Sequence, residues 1–394
     1  NQREFVRGLH EVGANVIGIG ERPAAHLSDD IKGWLSHYEQ VPSVVHEPSL
    51  LEAVRGIQDR VWVDRLETTV EAHILPVAKV REACGIPGTS VKTAYLCRDK
   101  PAMKQALREA GIRCANSTRA TSPDEALAFA KNVGFPLIIK PSAGAGASGT
   151  YKANGLSELR VVIRECGLAE GHEVAVEEFI EGHEGFLDTL TIDGEVVHEF
   201  ISHYYPNVLV AMRERWISPQ MIATNRTDAP GYMEVRRLAR KVIKTLGICT
   251  SATHMEWFFG PKGLKFSEIG CRPPGVGQWD VYNAANEFDL YREWAATLVH
   301  GRPQQRPSRR YSAGMIALRP ECDGHITGYN GLEGIQRRFG GCIVASHLPS
   351  PGTPTQPIEG GYMANAWMRV RHPDYDQLRG ILDTIGETVK VRAA

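Results

Sequence analysis

A lysine leads into a glycine-rich run at Lys140-Pro141-Ser142-Ala143-Gly144-Ala145-Gly146-Ala147-Ser148-Gly149-Thr150, and these residue types in this order suit the grip of a phosphate. Glycines let backbone N–H groups approach an anion as no larger residue allows, and Lys140 adds a point charge at the end of an apolar strand expected over residues 135–139. Gly144, Gly146 and Gly149 also fit G-x-G-x-x-G. That fingerprint needs its loop to open directly into a helix. Here 150–153 reads as a second strand and a helix starts only at Ser157, so the run is expected to tip a β-hairpin. Read alone, the same segment also fits a solvated Gly/Ala/Ser turn.

Two strand-like runs, 253–259 and 264–269, flank the turn-forming Gly260-Pro261-Lys262-Gly263 and should pair antiparallel. With 261–263 as the loop, Phe258 falls opposite Phe266 and Glu256 opposite Glu268. At about 5 Å and an effective dielectric near 20, two such carboxylates repel by roughly 3 kcal/mol. A bound cation reverses that sign. An all-oxygen ligand set suits Mg²⁺, with Mn²⁺ as a substitute, because Mg²⁺ takes one or two carboxylates plus phosphate oxygens and water. A slip of one residue in the loop puts the carboxylates on opposite faces, and the pair then reads as a solvated charged hairpin. His254 shares the acidic face and reads as a packing or ligand-orienting histidine, since no cysteine or second histidine joins it at zinc spacing. Arg272 lies two alternations beyond Glu268, where a guanidinium can hold a phosphoryl or carboxyl oxygen bidentately; as a lone arginine it also fits a surface position. Cys271 points the other way and reads as structural.

The elements that must position these groups follow from the rest of the chain. Its 45 Lys and Arg balance 46 Asp and Glu, so no net field recruits nucleic acid or an acidic membrane surface, and an anion must be held locally. Eight cysteines without a C-x-x-C pair suggest neither a zinc site nor a disulfide framework, and reduced thiols in a cytoplasm are the simplest reading. No apolar run approaches the roughly 18 residues of a membrane span, and no signal peptide is recognisable. The chain opens inside an amphipathic helix, which leads us to expect that upstream residues, a first strand among them, are absent from this sequence. Helix to Val12, strand at 15–19 and helices at 50–57 and 69–83 alternate in a way that implies a small parallel sheet. Asp99 can cap a helix through Glu109, and Ser122-Pro123-Asp124-Glu125 is a capping box. Strands are expected at 174–180, 186–192 and 195–201, the last two joined by the hairpin turn Asp193-Gly194, and a long helix at 232–246. Residues 302–308 have linker composition, and one helix near 375–385 stands among the strands of the tail.

Taken in order, Asp99-Lys100, Lys140 with its glycine loop, Glu177-Glu178-Phe179-Ile180-Glu181-Gly182-His183-Glu184, and Glu256 with Glu268-Ile269-Gly270-Cys271-Arg272 resemble the ATP-grasp superfamily over roughly residues 90–300. The run from Glu268 through Pro273-Pro274-Gly275 looks closer to its carboxylate–amine, or L-amino acid, ligase branch, while the two ends of the chain look like the N- and C-terminal domains of biotin carboxylase and its relatives. The resemblance implies an α/β (α+β) fold. A biotin-carboxylase-like domain would occupy 1–92, the ATP-grasp domain 93–307 with a glycine-loop lid at about 125–200, and a closing α+β domain 308–394. It further implies that Lys100, Lys140, Ser148 and Gly149 contact ATP, that Glu177 accepts from the adenine amino group beside the backbone of Phe179 and Ile180, and that Glu184 holds the ribose. Glu256 and Glu268 would bind Mg²⁺, and Arg272 with Lys140 would serve the transferring phosphoryl group and the acyl phosphate.

The activity so implied is ATP-dependent joining of a small carboxylate to an amine, with amino acids as the expected substrates, a homodimer as one assembly and neither nucleic acid nor membrane as partner. Biotin carboxylases carry Gln-Val-Glu-His where this chain has Pro273-Pro274-Gly275-Val276. An ATP-dependent carboxylase is the alternative enzyme, and a nucleotide-binding protein with lost chemistry is the alternative outside catalysis. Gly270 stands where the family usually has asparagine, a metal ligand, so a more loosely held second ion is expected. His203, Arg213, Arg215 and Asn225 lie where a substrate pocket could be lined.

Overall fold

The computed structural model describes residues 2–142, 149–357 and 365–394. Near the start, β1 (Ile17–Gly20) and β2 (His37–Gln40) form the small parallel sheet that the helix–strand alternation implies. A four-stranded antiparallel sheet follows, built from β3 (Ser117–Ala120), β4 (Leu137–Pro141), β5 (Tyr151–Ala153) and β6 (Val174–Glu178) in the order β3-β6-β4-β5. Ile138 pairs with Lys152 across β4 and β5, so the glycine run does connect two strands of a hairpin. Gly149 has φ +65°, and a Cβ there would lie 3.2 Å from Pro141 Cγ, which explains a glycine on this flank of the loop. The next helix, Leu156–Glu165, starts beyond β5, as the rejection of a dinucleotide fingerprint requires.

The main sheet contains β7 (His183–Ile192), β8 (Glu195–Tyr205), β9 (Gln220–Ala223), β10 (Ser251–Gly260), β11 (Gly263–Gly270) and β12 (Ser312–Leu318). After β13 (Ile326–Asn330) come β14 (Ile343–His347) and β15 (Ala366–His372), which complete eight strands in the order β11-β10-β7-β8-β9-β12-β15-β14. The last strand, β16 (Lys390–Ala393), pairs with β13. Residue Gly314 of β12 lies opposite Ile222 of β9, so the sheet runs uninterrupted past the linker-like residues 302–308. Asp193 and Gly194 both have positive φ, 50° and 85°, the signature of a type I′ turn between β7 and β8.

Helix starts follow the caps read from sequence. The Asp99 carboxylate accepts from Ala102 N–H at the head of the helix Lys100–Glu109, and Ser122 accepts from Glu125 N–H at the head of Pro123–Val133. Helices Lys100–Glu109 and Met233–Leu246 cover one face of the main sheet through Met103, Leu107, Val242 and Ile243, which pack with Leu187, Met255 and Phe266. Helices Gln278–Asn286 and Leu290–His300 cover the other face through Trp279, Tyr282 and Trp294 with Phe186 and Phe200. Among the described residues no helix is long and apolar enough to cross a membrane.

The hairpin β10–β11 differs from expectation in one instructive way. Its loop has two residues, Pro261 and Lys262, closed by Gly260 opposite Gly263, which places Phe258 opposite Lys265 and Trp257 opposite Phe266. A bulge then intervenes, with Ser267 as the extra residue, so that Glu256 still lies opposite Glu268. The bulge cancels the slip made by the shorter loop.

The first helix, Arg3–Glu11, lies against Leu290–His300 and brings Phe5 onto Trp279, Tyr291 and Trp294, each with ring centroids 5.0 Å from it. Close approach is possible because Gly8 has no side chain. A Cβ there would meet the Tyr291 carbonyl oxygen at 2.6 Å, which is backbone and cannot turn aside. Gly8→Ala is therefore expected to cost about 1–3 kcal/mol by overpacking and to lower the melting temperature by several degrees. An unchanged melting curve would show that this helix does not depend on the contact.

Candidate active site

A cleft of about 1110 Å³ opens between the four-stranded sheet, the hairpin β10–β11 and the helices after it. Lys100 and Lys104 stand one turn apart on Lys100–Glu109 and both face it. Lys104 was not anticipated. Its side chain is 1 % exposed and its ammonium lies 2.6 Å from Glu177 Oε2, which also takes Lys140 at 2.9 Å. Lys100 and Lys140 pair more loosely with Glu268, at 3.5 and 3.7 Å.

Burial and the like charge of Lys140 bring Lys104 down to about 8, against which Glu177 compensates incompletely. Burial also works against the charge on Lys140, but Glu177 and Glu268 outweigh it and hold the proton tightly. Burial would raise Glu177, yet the two ammonium groups bring it to about 2. Lys104 is thus the cation that titrates first. Nucleotide affinity is expected to weaken as pH rises through about 8, and Lys104→Met to flatten that dependence. The stability effect has the opposite sign, because an unfolded lysine keeps its proton to about pH 10.4, so the folded chain gains stability between those values. Calorimetric nucleotide titrations and melting curves on both proteins across this range check the two signs separately.

Glu256 and Glu268 face each other across the hairpin, as the spacing requires. His254 Nε2 lies 3.5 Å from Glu256 Oε1, and its Nδ1 lies 2.6 Å from Asp188, which also accepts from the Tyr282 hydroxyl. Burial opposes a charge on His254, but Asp188 and Glu256 raise it to about 9, so it stands as an imidazolium that orients Glu256. Glu184 is pushed up to about 8 by burial and by Glu256, while its carboxylate accepts from Val208 N–H at 2.7 Å. Among the described residues no cluster of three or more His, Cys, Asp or Glu could hold a metal. Two carboxylates alone fit an ion that completes its shell with ligand oxygens and water.

Phe179 follows β6 and its N–H donates to the Pro136 carbonyl at 3.1 Å, which leaves its own carbonyl and the backbone of Ile180 as the groups that can face a base. Lys152 sits 4.1 Å above the Phe179 ring. Thr150, next to Gly149, lines the cleft while Gly149 itself does not, and Ser148 lies outside the described residues. Arg272 faces the cleft, and Cys271 is buried in the core behind it. Of the four residues considered for substrate, Arg213 lines the cleft. His203 bonds His183 and Tyr232 within an aromatic cluster, Arg215 pairs with Asp323, and Asn225 holds the Pro373 carbonyl.

Beyond Arg272 the wall changes character. Phe5, Trp279, Tyr291, Trp367 and Met315 line it, with Arg369 stacked on Trp367 and bonded at 3.0 Å to Asp280. None of these residues carries a local sequence signal, because five separate elements bring them together.

Residues 99–189 match the family model described as the ATP-binding domain of the carbamoyl-phosphate synthase L chain. The whole chain superposes on an L-amino acid ligase from Bacillus licheniformis with a TM-score of 0.79, covering 100 % of this chain and 97 % of that one at 17 % identity. This chain has the ATP-grasp fold. In sequence it is 29 % identical over 220 residues to an L-arginine-specific L-amino acid ligase of Bacillus subtilis, which is 54 % of this chain and 52 % of that protein. It is also 26 % identical over 286 residues to the carbamoyl phosphate synthase large chain of Rubrobacter xylanophilus, which is 68 % of this chain and 25 % of that one. The chain thus spans from a quarter to about half the length of these two sequence relatives.

Proposed function

We propose that this protein is an ATP- and Mg²⁺-dependent ligase that phosphorylates the carboxylate of one amino acid and joins it to the amine of another. One observation carries the reading: the three lysines, the Glu256–Glu268 pair and Arg272 follow one another along a single cleft that ends in an apolar, aromatic wall. Likeness to two L-amino acid ligases supports it, one in fold and one in sequence.

In this reading the hinge after β6 holds adenine through the Phe179 carbonyl and Ile180, with Glu177 Oε1 near the amino group, and Glu184 takes the ribose. The longer pairs to Glu268 exchange most readily. Lys100 and Lys140 turn to triphosphate oxygens, while Glu177 keeps Lys140 in place and Glu268 joins Glu256 on the metal. Mg²⁺, or Mn²⁺ in its stead, would be held by Glu256 and Glu268 and would neutralise charge on the phosphates. A substrate carboxylate oxygen attacks the γ-phosphorus and ADP leaves; the amine nitrogen of the second substrate, having lost a proton, then attacks the acyl carbon and phosphate leaves. Such transfer rests on positioning and charge stabilisation, with little covalent help from protein.

The aromatic wall suits a bulky apolar side chain. Trp367→Ala should raise KM for the amino acid about 10-fold or more, as loss of buried aromatic area implies, with KM for ATP unchanged. The reading as a whole is tested by ADP release across acid and amine pairs. ADP should appear only with an amino acid, and complete turnover should need an amine. Release that depends on bicarbonate and ignores every such pair would make the protein a carboxylase, and tight ATP binding without turnover would make it a nucleotide-binding protein.

A further inference from the structure

Glu71 opens a short 3-10 turn, Glu71–His73, and its carboxylate enters the cleft beside Arg272. Glu71 Oε2 accepts from Arg272 Nε at 2.6 Å. Arg98 Nη1 holds the other side, donating to Glu71 Oε1 at 3.1 Å and to its backbone carbonyl at 2.7 Å. Arg272 Nη1 in turn donates to the Pro273 carbonyl at 2.8 Å. Two of the three guanidinium nitrogens are thereby fixed to protein acceptors. Among the described residues Nη2 has none, which leaves it as the nitrogen able to meet a ligand.

Gly270 is the second half of the observation. Its φ is not in the left-handed region, so backbone conformation does not demand glycine. Space is what is short there. A Cβ at 270 would lie 3.2 Å from Glu71 Oε2, tighter than ordinary van der Waals contact, so the carboxylate would have to give by a few tenths of an ångström, and Arg272 Cγ and Nε come next at 3.5 and 3.6 Å. That carboxylate cannot retreat without lengthening its bonds to Arg98 or Arg272.

We propose that Glu71 is a positioning residue for Arg272, and that position 270 is glycine because Glu71 occupies the space a side chain there would need. Glu71 lies 201 positions before Arg272 in the chain, so the segment before the nucleotide site completes the transfer site instead of merely flanking it. An asparagine at 270 is then no simple gain of a metal ligand. It displaces the group that aims Arg272.

The inference rests on the ligase reading for the part that Arg272 plays in turnover, but not for the shared space, and two measurements separate these. The first is thermal melting of Glu71→Ala, Gly270→Asn and the double variant. If the two side chains compete for one volume, Gly270→Asn lowers the melting temperature by several degrees in the native background and by much less when combined with Glu71→Ala. Additive shifts would overturn the shared space, whether or not any substrate is turned over. The second is ADP release with the amino acid substrate. Displacing a guanidinium by even about 1 Å can cost on the order of 100-fold, so Glu71→Ala should lower kcat by about 10- to 100-fold with KM for ATP held. Glu71→Gln, whose amide oxygen still accepts from Nε, should recover most of the loss. A raised KM for the amino acid with kcat intact would overturn the positioning role and make Glu71 a direct substrate contact. Absence of ADP release from the unaltered protein would remove the ligase reading, and the melting cycle alone would then decide whether Glu71 and Gly270 are paired.

Discussion

Lys140→Ala is expected to reduce ATP-dependent turnover by about 100- to 1000-fold, the loss typical when a preorganised charge is removed from a group that gains charge in the transition state. Nucleotide affinity should fall with it, because the same ammonium meets the triphosphate before and during transfer. The fold should survive. Glu177 keeps Lys104 at 2.6 Å, so no buried carboxylate is stranded, and the variant escapes the large penalty of breaking a lone buried pair. A second consequence follows from the charges around Lys104. Lys140 is one of the two influences that lower it to about 8, so removing Lys140 should move the decline of nucleotide affinity to higher pH. Calorimetric titration with ATP or ADP across that range reads affinity and pH dependence together, and ADP release reads turnover. Wild-type turnover in Lys140→Ala would detach this lysine from the transfer site. An unshifted pH decline would mean that Lys104 does not govern it.

The two halves of the nucleotide end were unequally legible in the sequence. Local signals gave the hairpin β4–β5, the caps at Asp99 and Ser122 and the type I′ turn at Asp193-Gly194, because each depends on a few neighbouring residues. The opposition of Glu256 and Glu268 was also legible, though through a loop one residue too long. The bulge at Ser267 restores the pairing, and a bulge is set by the neighbouring strand and the core behind it, not by composition. Lys104 shares a helix face with Lys100, but a lysine at i+4 usually lies in solvent. Only the tertiary position of Glu177 makes it a buried ion. Residues 302–308 have linker composition, and β12 beyond them adds directly to β9, because polar connecting residues say nothing about which strands pair across them. Glu71, Trp367 and Arg369 reach the cleft from distant parts of the chain and had no signal at all. The groups that would hold phosphate thus lay in recognisable local motifs, while those that would choose the substrate are assembled by the fold.

Glu268→Gln should nearly abolish turnover while leaving a folded protein that still binds nucleotide. Glu268 carries two functions that glutamine separates. Its negative charge holds Lys100 and Lys140 at 3.5 and 3.7 Å, and those ammonium groups, working against its burial, lower its own pKa so that it is ionised at neutral pH. Its position opposite Glu256 makes it half of the only carboxylate pair on that hairpin face. Glutamine keeps the size and one acceptor oxygen but halves the formal charge of the pair. A hard cation such as Mg²⁺ then gains little over its water shell, since it releases water reluctantly. The two lysines, no longer paired with Glu268, should meet the triphosphate at least as strongly. The expected pattern is therefore split: metal-free ADP affinity unchanged or tighter, the Mg²⁺ concentration for half-maximal rate raised about 10-fold or more, and kcat lowered by about 100-fold or more even at saturating Mg²⁺. Glu256→Gln should raise the Mg²⁺ requirement as well but leave metal-free ADP affinity alone, because Glu256 holds neither Lys100 nor Lys140 in an ion pair and is oriented by His254. Calorimetry with ADP in the presence of a chelator, together with rate titrations in Mg²⁺, separates the two variants. Equal Mg²⁺ requirements in Glu268→Gln and the unaltered protein would remove Glu268 from the metal site and return it to the role of a counter-ion for Lys100 and Lys140.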